Sequence, residues 1–385
     1  PRQDGGFHDK LFEPILESFR NPRGRAKKTK FRDGSSVPKV FLEAFRPLNG
    51  SFWTNMFGHI TRGECPLPCV FTDNVAELNS SDAVLVYLLD VKSAEKLQSK
   101  IYRNVTQPWI VHSNECMHLA HSRKIFKDLN GIFNRTMLFR HDADVVWTHG
   151  FVVSKEDGKL LPPSWHLQSP HIEQEPFEKR KMAVAFISHC STAGKREDYI
   201  KELSRYISVD IYGACGKKKC GRRSLIIHGY SVMQDECMLK VAKKYLFYLS
   251  FENSICGDYV TEKAYNIQYY PVVPIVFGGV DYTKVLPPGS YINALQYTPS
   301  DLANHLKYLA SNQTEYEAML HWRRDFEVST VSGQRIFCQL CSKLYDPSFY
   351  EYNVYDDFYD WFVNLSNCSK PYVSGCNVTL IPSVL

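Results

Sequence analysis

The sequence predicts an α/β protein of two Rossmann-like domains whose mainly parallel sheets face each other across a cleft. Three observations carry that prediction. Short apolar runs alternate with helical patterns in two separate series, which implies parallel strands joined by helical crossovers. A polar, proline-rich stretch without period, SKEDGKLLPPSWHLQSPHIEQEPFEKRK, divides the two series and reads as a linker. Several apolar runs end in clusters of charged and hydrogen-bonding residues, as strands do where a sheet edge meets a ligand.

In the first series VPKVFLEAF, AVLVYLLD and PWIVHSNE are runs of strand type, LAHSRKIFKDLNGIF has apolar residues at helical spacing, and MLFRHDADVVWTHG follows. The second series opens with the buried-type strand MAVAFISHC, the helix GKREDYIKELSRYI and the strand VDIYGAC. SVMQDECMLKVAKKY reads as helix, YLFYLSFEN as strand, TEKAYNIQYY as helix and PVVPIVFGG as strand. SDLANHLKYLASN and EYEAMLHWRRDFE read as two further helices. The divisions fall at a basic segment 1–35, a first domain 36–165, a linker 166–181, a second domain 182–335 and a cysteine-containing tail 336–385.

With 385 residues the chain has room for two domains, each with a sizeable core. Its 44% hydrophobic and 23% charged content argue against wholesale disorder. The net charge of +5 comes partly from NPRGRAKKTKFRDG near the start. Nothing later repeats that basic pattern, so the run reads as a solvated stem and no nucleic-acid partner is expected. No apolar stretch reaches the roughly 18 residues of a membrane span.

Sequons at Asn49, Asn79, Asn104, Asn134, Asn312, Asn364, Asn367 and Asn377 suggest a glycosylated protein. The 12 cysteines point the same way, with close pairs at Cys65/Cys69, Cys215/Cys220, Cys338/Cys341 and Cys368/Cys376. Zinc is the competing reading of the C-x-x-C in CQLC. The proline-stiffened CPLPC lies far away along the chain and no His pair sits near either motif, so disulfides in an oxidising compartment are favoured. The chain reads as the lumenal part of a protein anchored by a segment outside it.

The richest stretch is YLFYLSFENSICGDYVTEKAYN, where an apolar strand gives way to a helix. The strand delivers Glu252 and Asn253 to the sheet edge. Thr261 is the expected N-cap, and Glu262 and Lys263 fall in the first turn, a setting suited to a phosphate. ISHCSTAGKREDY follows the same plan: strand, hydroxyl-rich loop, then a helix opening with Lys195 and Arg196, where an Arg can grip a diphosphate bidentately. Neither G-x-G-x-x-G nor a Walker A sequence occurs. PWIVHSNECMH brings His112, Asn114, Glu115 and His118 to a strand end of the first domain; Glu115 is either a general base facing the cleft or an ordinary strand-end acid. Asp142 and Asp144 form an Asp-x-Asp of the kind that holds a metal on a nucleotide diphosphate, but they lie away from the phosphate-friendly elements.

FYLSFENSICGDYVTEKAYN followed by VPIVFGG closely resembles the signature of the α1,3-fucosyltransferases. FISHCSTAGKREDYIKEL, VDIYG, FRHDADV with its following Gly150, HWRRDF and CQLC also have counterparts in that family, so the likeness runs along most of the chain. It implies the two-domain GT-B arrangement, with GDP-fucose on the second domain and the acceptor sugar on the first. The reaction it implies is inverting: one in-line displacement moves L-fucose from GDP-β-L-fucose to the 3-hydroxyl of a GlcNAc. Glu115 stands where the family places the base, although HSNECMH differs from the commoner Glu-Ser-Pro. By the same resemblance Arg196 and Lys263 neutralise the diphosphate, Glu262 meets the fucose, and Tyr248, Glu252, Asn253 and Tyr259 line the nucleotide and diphosphate. Ser188 matches the family's Ser, while His189 stands where Asn is usual.

CPLPC and CQLC are expected to join by disulfides that tie the tail to the first domain. No cofactor is required on this reading, a divalent metal being at most stimulatory. The partners are GDP-fucose and an N-glycan, with a membrane reached only through an N-terminal anchor absent from this chain, as in a type II protein of the Golgi lumen. The valine of DYVTEK and the insertion GACGKKKC favour the core GlcNAc over outer N-acetyllactosamine arms. The alternatives are a related transferase with another nucleotide sugar, and a catalytically silent glycan-binding protein.

Overall fold

The computed structural model describes residues 31, 34–35, 37–43, 65–99, 106–116, 123–160, 172–219, 236–329, 333–374 and 377–382. Most of the basic segment, the sequons at Asn49 and Asn104, His118 and Cys220 lie outside them.

Two parallel sheets organise the chain. The first has the order β2-β1-β3-β4-β5-β6, made of Lys39–Glu43 (β1), Val70–Thr72 (β2), Ala83–Tyr87 (β3), Trp109–His112 (β4), Arg135–Leu138 (β5) and Val145–Val146 (β6). All of its pairings are parallel. After β7 (Phe151–Ser154) the second sheet begins, with Lys181–Phe186 (β8), Val209–Tyr212 (β9), Tyr245–Phe251 (β10), Val273–Phe277 (β11) and Ile292–Asn293 (β12). Its order is β12-β11-β10-β8-β9, again parallel throughout. The GT-B class read from the sequence is therefore the architecture found.

Sequence dictates these strands through burial on both faces. All seven residues of β10 and all five of β11 are buried. A central strand covered on both sides must be a continuous apolar run, and YLFYLSF and VPIVF are such runs. Each fully buried Phe, Leu or Val contributes about 1.5–3 kcal/mol over leaving it exposed. The helices Arg196–Leu203 and Pro299–Ser311 put Tyr199, Ile200, Leu203, Leu302, Leu306 and Leu309 into the same core as Phe247, Leu249 and Ile275.

Sequence and structure part at the end of the second domain. EYEAMLHWRRDFE was expected to be one helix, but the helix Gln313–Ala318 stops and a 3-10 turn His321–Arg324 follows. Phe326 and Glu327 then belong to β13 (Phe326–Ser329), which pairs antiparallel with β7. The pairing overrides the helical spacing because β7 offers a free ladder next to it. The chain next returns to the first sheet. Ile336, Phe337, Leu340 and Leu344 of and just after the helix Gly333–Lys343 pack with Val40, Leu85 and Ile110, and Phe358 and Phe362 pack with Val84 and Val111.

Disulfides follow that return. Cys65–Cys338 and Cys69–Cys341 join CPLPC to CQLC, and Cys256–Cys368 joins the motif loop to the final segment. Cys190–Cys215 ties the loop after β8 to the loop after β9. The close spacings Cys215/Cys220 and Cys368/Cys376 do not mark bonded pairs, since Cys215 and Cys368 bond elsewhere. The last strands, Ser369–Ser374 (β14) and Asn377–Pro382 (β15), form an antiparallel hairpin. One sequon is structural: Asn134 is buried, accepts from the Trp109 amide at 3.2 Å and donates to the Asn353 carbonyl at 2.6 Å.

His112, at the end of β4, is buried between Tyr87 and Trp147, with Nδ1 donating to the Met137 carbonyl at 2.9 Å. Burial pushes its pKa down to about 4, against the opposing pull of that hydrogen bond. The folded protein thus refuses a proton that the unfolded chain accepts below about pH 6.5. Its contribution is fully present above that value and is lost as pH falls towards 4, at up to about 1.4 kcal/mol per pH unit. Urea melts at several pH values should show this slope, and His112→Leu should flatten it. An unchanged slope in the variant would assign the effect to other groups.

Candidate active site

In the second sheet the strand order reverses between β8 and β10, because β9 lies on one side of β8 and β10 on the other. Open parallel sheets bind ligands at such a switch point, beyond the carboxyl ends of the strands. The loops there are the two polar segments singled out in the sequence. They touch directly: the Gly194 amide donates to the Asn253 carbonyl at 2.8 Å. A Cβ at Gly194 would lie 3.0 Å from that oxygen, so a larger residue would force the loops apart.

The loop after β8 presents Arg196. Thr192 and Glu197 fix its shape, the Thr192 amide and hydroxyl both donating to the Glu197 carboxylate at 3.0 and 2.8 Å. Arg196 is 2% exposed. Its Nη1 donates to the Phe251 carbonyl at 2.7 Å and its Nη2 to the His189 carbonyl at 3.4 Å, while Nε is buried without a partner. Burial pulls its pKa down, opposed by Glu252 and Glu197. Its hydrogen bonds go to carbonyls while these acids act without touching it, so an anion within hydrogen-bond reach would lower the cost of burying the charge. Ser188 lies exposed in the same loop.

The loop after β10 is organised by Glu252, which is fully buried. Its carboxylate accepts from the Thr261 amide at 2.8 Å, from the Thr261 hydroxyl at 3.0 and 2.7 Å, and from Lys263 Nζ at 3.2 Å. Both of its oxygens are therefore committed to protein donors. Glu252 was expected to line the nucleotide; the contacts it makes are to Thr261 and Lys263. Thr261 stands at the N-cap with extended backbone, but its hydroxyl serves Glu252 and Lys263 and makes no capping bond. The helix itself is only Glu262–Asn266, followed by a 3-10 turn, so the anion-binding character here resides in the cations and not in a helix terminus.

Lys263 Nζ also donates to Thr261 Oγ1 at 2.6 Å and to Glu262 Oε1 at 3.3 Å. Burial works against its charge, but Glu252, Glu262 and Glu115 outweigh it and raise its pKa. Burial likewise works against the charge of Glu262, but Lys263 and His149 prevail and hold its pKa at about 2. Asn253 is buried with Oδ1 unpartnered. Tyr248 sits three residues before the end of β10, buried beside Phe186 and close enough to Arg196 to act on its charge.

The middle of the motif crosses to the other domain. Ile255 bridges to Ser369, Gly257 donates to the Ser366 carbonyl at 2.8 Å, and Asp258, in the left-handed region at φ 61°, binds His141. Tyr259 is fully buried against Phe139 in the first-domain core. Its hydroxyl donates to Glu115 Oε2 at 2.7 Å, so a residue expected to line the donor also holds the candidate base. Glu115 is half-buried after β4, its amide accepted by Ser113 Oγ at 3.2 Å. Cys116 beside it contacts Ser254 Oγ at 2.9 Å.

Sequence reasoning missed His149, which follows β6. Its Nε2 lies 3.0 Å from the Asn114 carbonyl and its Nδ1 3.6 Å from Glu262 Oε2. The strand-end rule that flagged Glu115 applies equally to VVWTHG and would have found it.

The Asp-x-Asp has other work. Asp142 pairs with Arg140 at 2.8 and 2.6 Å, and Asp144 accepts from the Thr136 amide and hydroxyl and from the Tyr355 hydroxyl. Among the described residues no group of three or more His, Cys, Asp or Glu is arranged to hold a metal ion.

Residues 176–361 match the family described as glycosyltransferase family 10 (fucosyltransferase), C-terminal part, and residues 51–150 match the fucosyltransferase N-terminal domain. Alpha-(1,3)-fucosyltransferase C of Drosophila melanogaster is 34% identical over 251 residues, 62% of this chain and 55% of that protein. Alpha-(1,3)-fucosyltransferase fut-1 of Caenorhabditis elegans is 30% identical over 289 residues, 71% of this chain and 59% of that protein. The chain thus spans less than two thirds of the length of these two relatives. A bovine (Bos taurus) relative, 3-galactosyl-N-acetylglucosaminide 4-alpha-L-fucosyltransferase FUT3, is 29% identical over 324 residues, 80% of each chain. A crystal structure of an alpha1,3-fucosyltransferase superposes with a TM-score of 0.51 at 16% identity, covering 88% of this chain and 98% of the other. A structure described as alpha1,3-fucosyltransferase with GDP-fucose superposes with a TM-score of 0.50, also at 16% identity, covering 90% of this chain and 99% of the other. With both halves of the family matched around a switch-point site rich in buried cations, the chain belongs to glycosyltransferase family 10, the fucosyltransferases.

Proposed function

We propose that the protein transfers L-fucose from GDP-β-L-fucose to the 3-hydroxyl of a GlcNAc in an N-glycan, with inversion at the sugar. The observation that carries this reading is Arg196: a guanidinium 2% exposed, held by two carbonyls and with Nε unpartnered, at the sheet's switch point. A diphosphate supplies the missing negative charge. Family membership and the relatives named alpha-(1,3)-fucosyltransferases support fucose as the sugar.

In the proposed step the GlcNAc O3 attacks the fucose anomeric carbon as the bond to the β-phosphate breaks. The O3 proton passes to Glu115, and GDP leaves with the bonding pair. Arg196 and Lys263 meet the charge that develops on the diphosphate, and no metal is needed in that role. Glu262, held ionised by Lys263 and His149, faces the positive charge that builds on the sugar ring. Glu115, half-buried and within hydrogen-bond reach of Tyr259, is placed for proton removal.

We favour the core GlcNAc as acceptor, on the Val260 and GACGKKKC features of the sequence. The bovine relative's name specifies a galactosylated N-acetylglucosaminide, which favours the alternative of an outer-arm acceptor, but its linkage is to position 4 because galactose occupies O3. The bonded cysteines suit an oxidising compartment such as the Golgi lumen. No helix among the described residues is long and apolar enough to cross a membrane.

Incubation with GDP-fucose, GDP-mannose and UDP-GlcNAc, each with a biantennary glycan, tests the proposal. Fucose alone should transfer, and turnover should survive EDTA. Product mapping by exoglycosidases and mass spectrometry reports linkage and acceptor together. Consumption of another donor only would overturn the assignment.

A further inference from the structure

His149 belongs to the first domain and reaches the second. A carbonyl oxygen only accepts, so its 3.0 Å contact with the Asn114 carbonyl places a proton on Nε2. That leaves Nδ1 turned to Glu262 Oε2 at 3.6 Å, an ion pair when Nδ1 carries a proton as well. One ring therefore spans from the backbone of the residue preceding Glu115 to the carboxylate expected beside the fucose.

The backbone around it is pinned. A Cβ on Gly150 would lie 2.6 Å from Tyr265 Cγ, so the chain here runs against the side chain of a residue in the Glu262–Asn266 helix. Tyr265 is itself fully buried. The His149 side chain is 15% exposed, and Asn114 is held in turn by Tyr87, whose hydroxyl donates to its Oδ1 at 3.0 Å. Glu262 is consequently shared between a cation of its own domain, Lys263 on Oε1, and an imidazole of the opposite domain on Oε2.

From this geometry we infer that His149 is a positioning residue that sets the separation between Glu115 and Glu262 across the cleft. The inference rests on the proposed roles of those two acids. Its contact with Asn114 fixes the segment carrying the base, and its contact with Glu262 fixes the acid beside the sugar. Displacement of either by about 1 Å is enough to slow a positioned reaction by roughly 100-fold.

Two variants separate the contacts. His149→Gln keeps an amide N–H near the Nε2 position, facing Asn114, and loses the nitrogen facing Glu262. His149→Asn keeps a donor near the Nδ1 position and loses the reach to Asn114. Both should lower kcat by about 10- to 100-fold. The KM for GDP-fucose and the Kd for GDP should change less than about threefold, and the melting temperature should stay near that of the parent. A merely structural His149 would instead lower stability and raise KM together.

Wild-type kcat in both variants, or a loss confined to GDP affinity, would overturn the inference. Glu115→Gln assayed in parallel keeps the two readings apart. If it loses turnover while both His149 variants retain theirs, the positioning role alone fails. If it retains turnover, the base assignment fails, whichever way the His149 variants behave.

Discussion

Glu115→Gln is expected to stop fucosyl transfer while leaving GDP binding intact. A GlcNAc hydroxyl is a poor nucleophile until its proton leaves, and a positioned base accounts for about 10²–10⁴ in rate. Gln is isosteric and its carbonyl oxygen still accepts from the Tyr259 hydroxyl, so the 2.7 Å contact across the cleft survives. Arg196 and Lys263, the groups proposed to meet the diphosphate, make none of their hydrogen bonds to Glu115, so the nucleotide should bind as before. Rates with GDP-fucose and a GlcNAc-terminated glycan, paired with calorimetry on GDP, give both quantities. A variant that keeps transfer within about tenfold is not missing its base. A large loss of GDP affinity would instead move Glu115 to the donor side.

Lys263→Met should cost both stability and nucleotide affinity, through two separable causes. Lys263 is the cation paired with Glu252, whose side chain is fully buried. Removing one partner of a buried pair leaves an uncompensated charge, at a cost of about 3–5 kcal/mol. The double variant Lys263→Met with Glu252→Gln removes both charges and should regain most of that stability. It should not regain GDP binding, because the diphosphate still lacks its ammonium. Guanosine, which has no phosphate, should bind all forms alike. Equal weakening of GDP and guanosine would show that Lys263 shapes the pocket and does not meet the diphosphate. The raised pKa of Lys263 means its contribution is fully present below about pH 10 and declines only above that, so neither measurement should vary between pH 6 and 9 on its account.

The architecture could be read from the sequence wherever burial alone decides structure. YLFYLSF and VPIVF are buried on both faces and so are apolar throughout. β13 could not be read, because HWRRDFE has helical spacing and only its pairing with β7 makes it a strand. Arg196 and Lys263 were visible because each sits in the first turn of the helix that follows a strand. Tyr259 was expected beside the donor because a contiguous motif suggests one ligand; Cys256 and Tyr259 also belong to the first-domain core. Glu252 looked like a ligand-facing acid and is an internal partner of Thr261 and Lys263. His149 stands at a strand end as Glu115 does, but only the meeting of two chain segments shows what it touches.

The chain passes between the domains at β7 and again at β13, and these two strands are zipped together as an antiparallel ribbon. Two independent tethers thereby act as a single hinge. Cys256–Cys368 adds a covalent staple between the motif loop and the final segment of the first domain, with Cα atoms 3.9 Å apart. These ties oppose a wide separation of the two sheets. The unit of the second sheet is in effect a module inserted into that of the first, whose own core is complete only once the last segment of the chain has arrived.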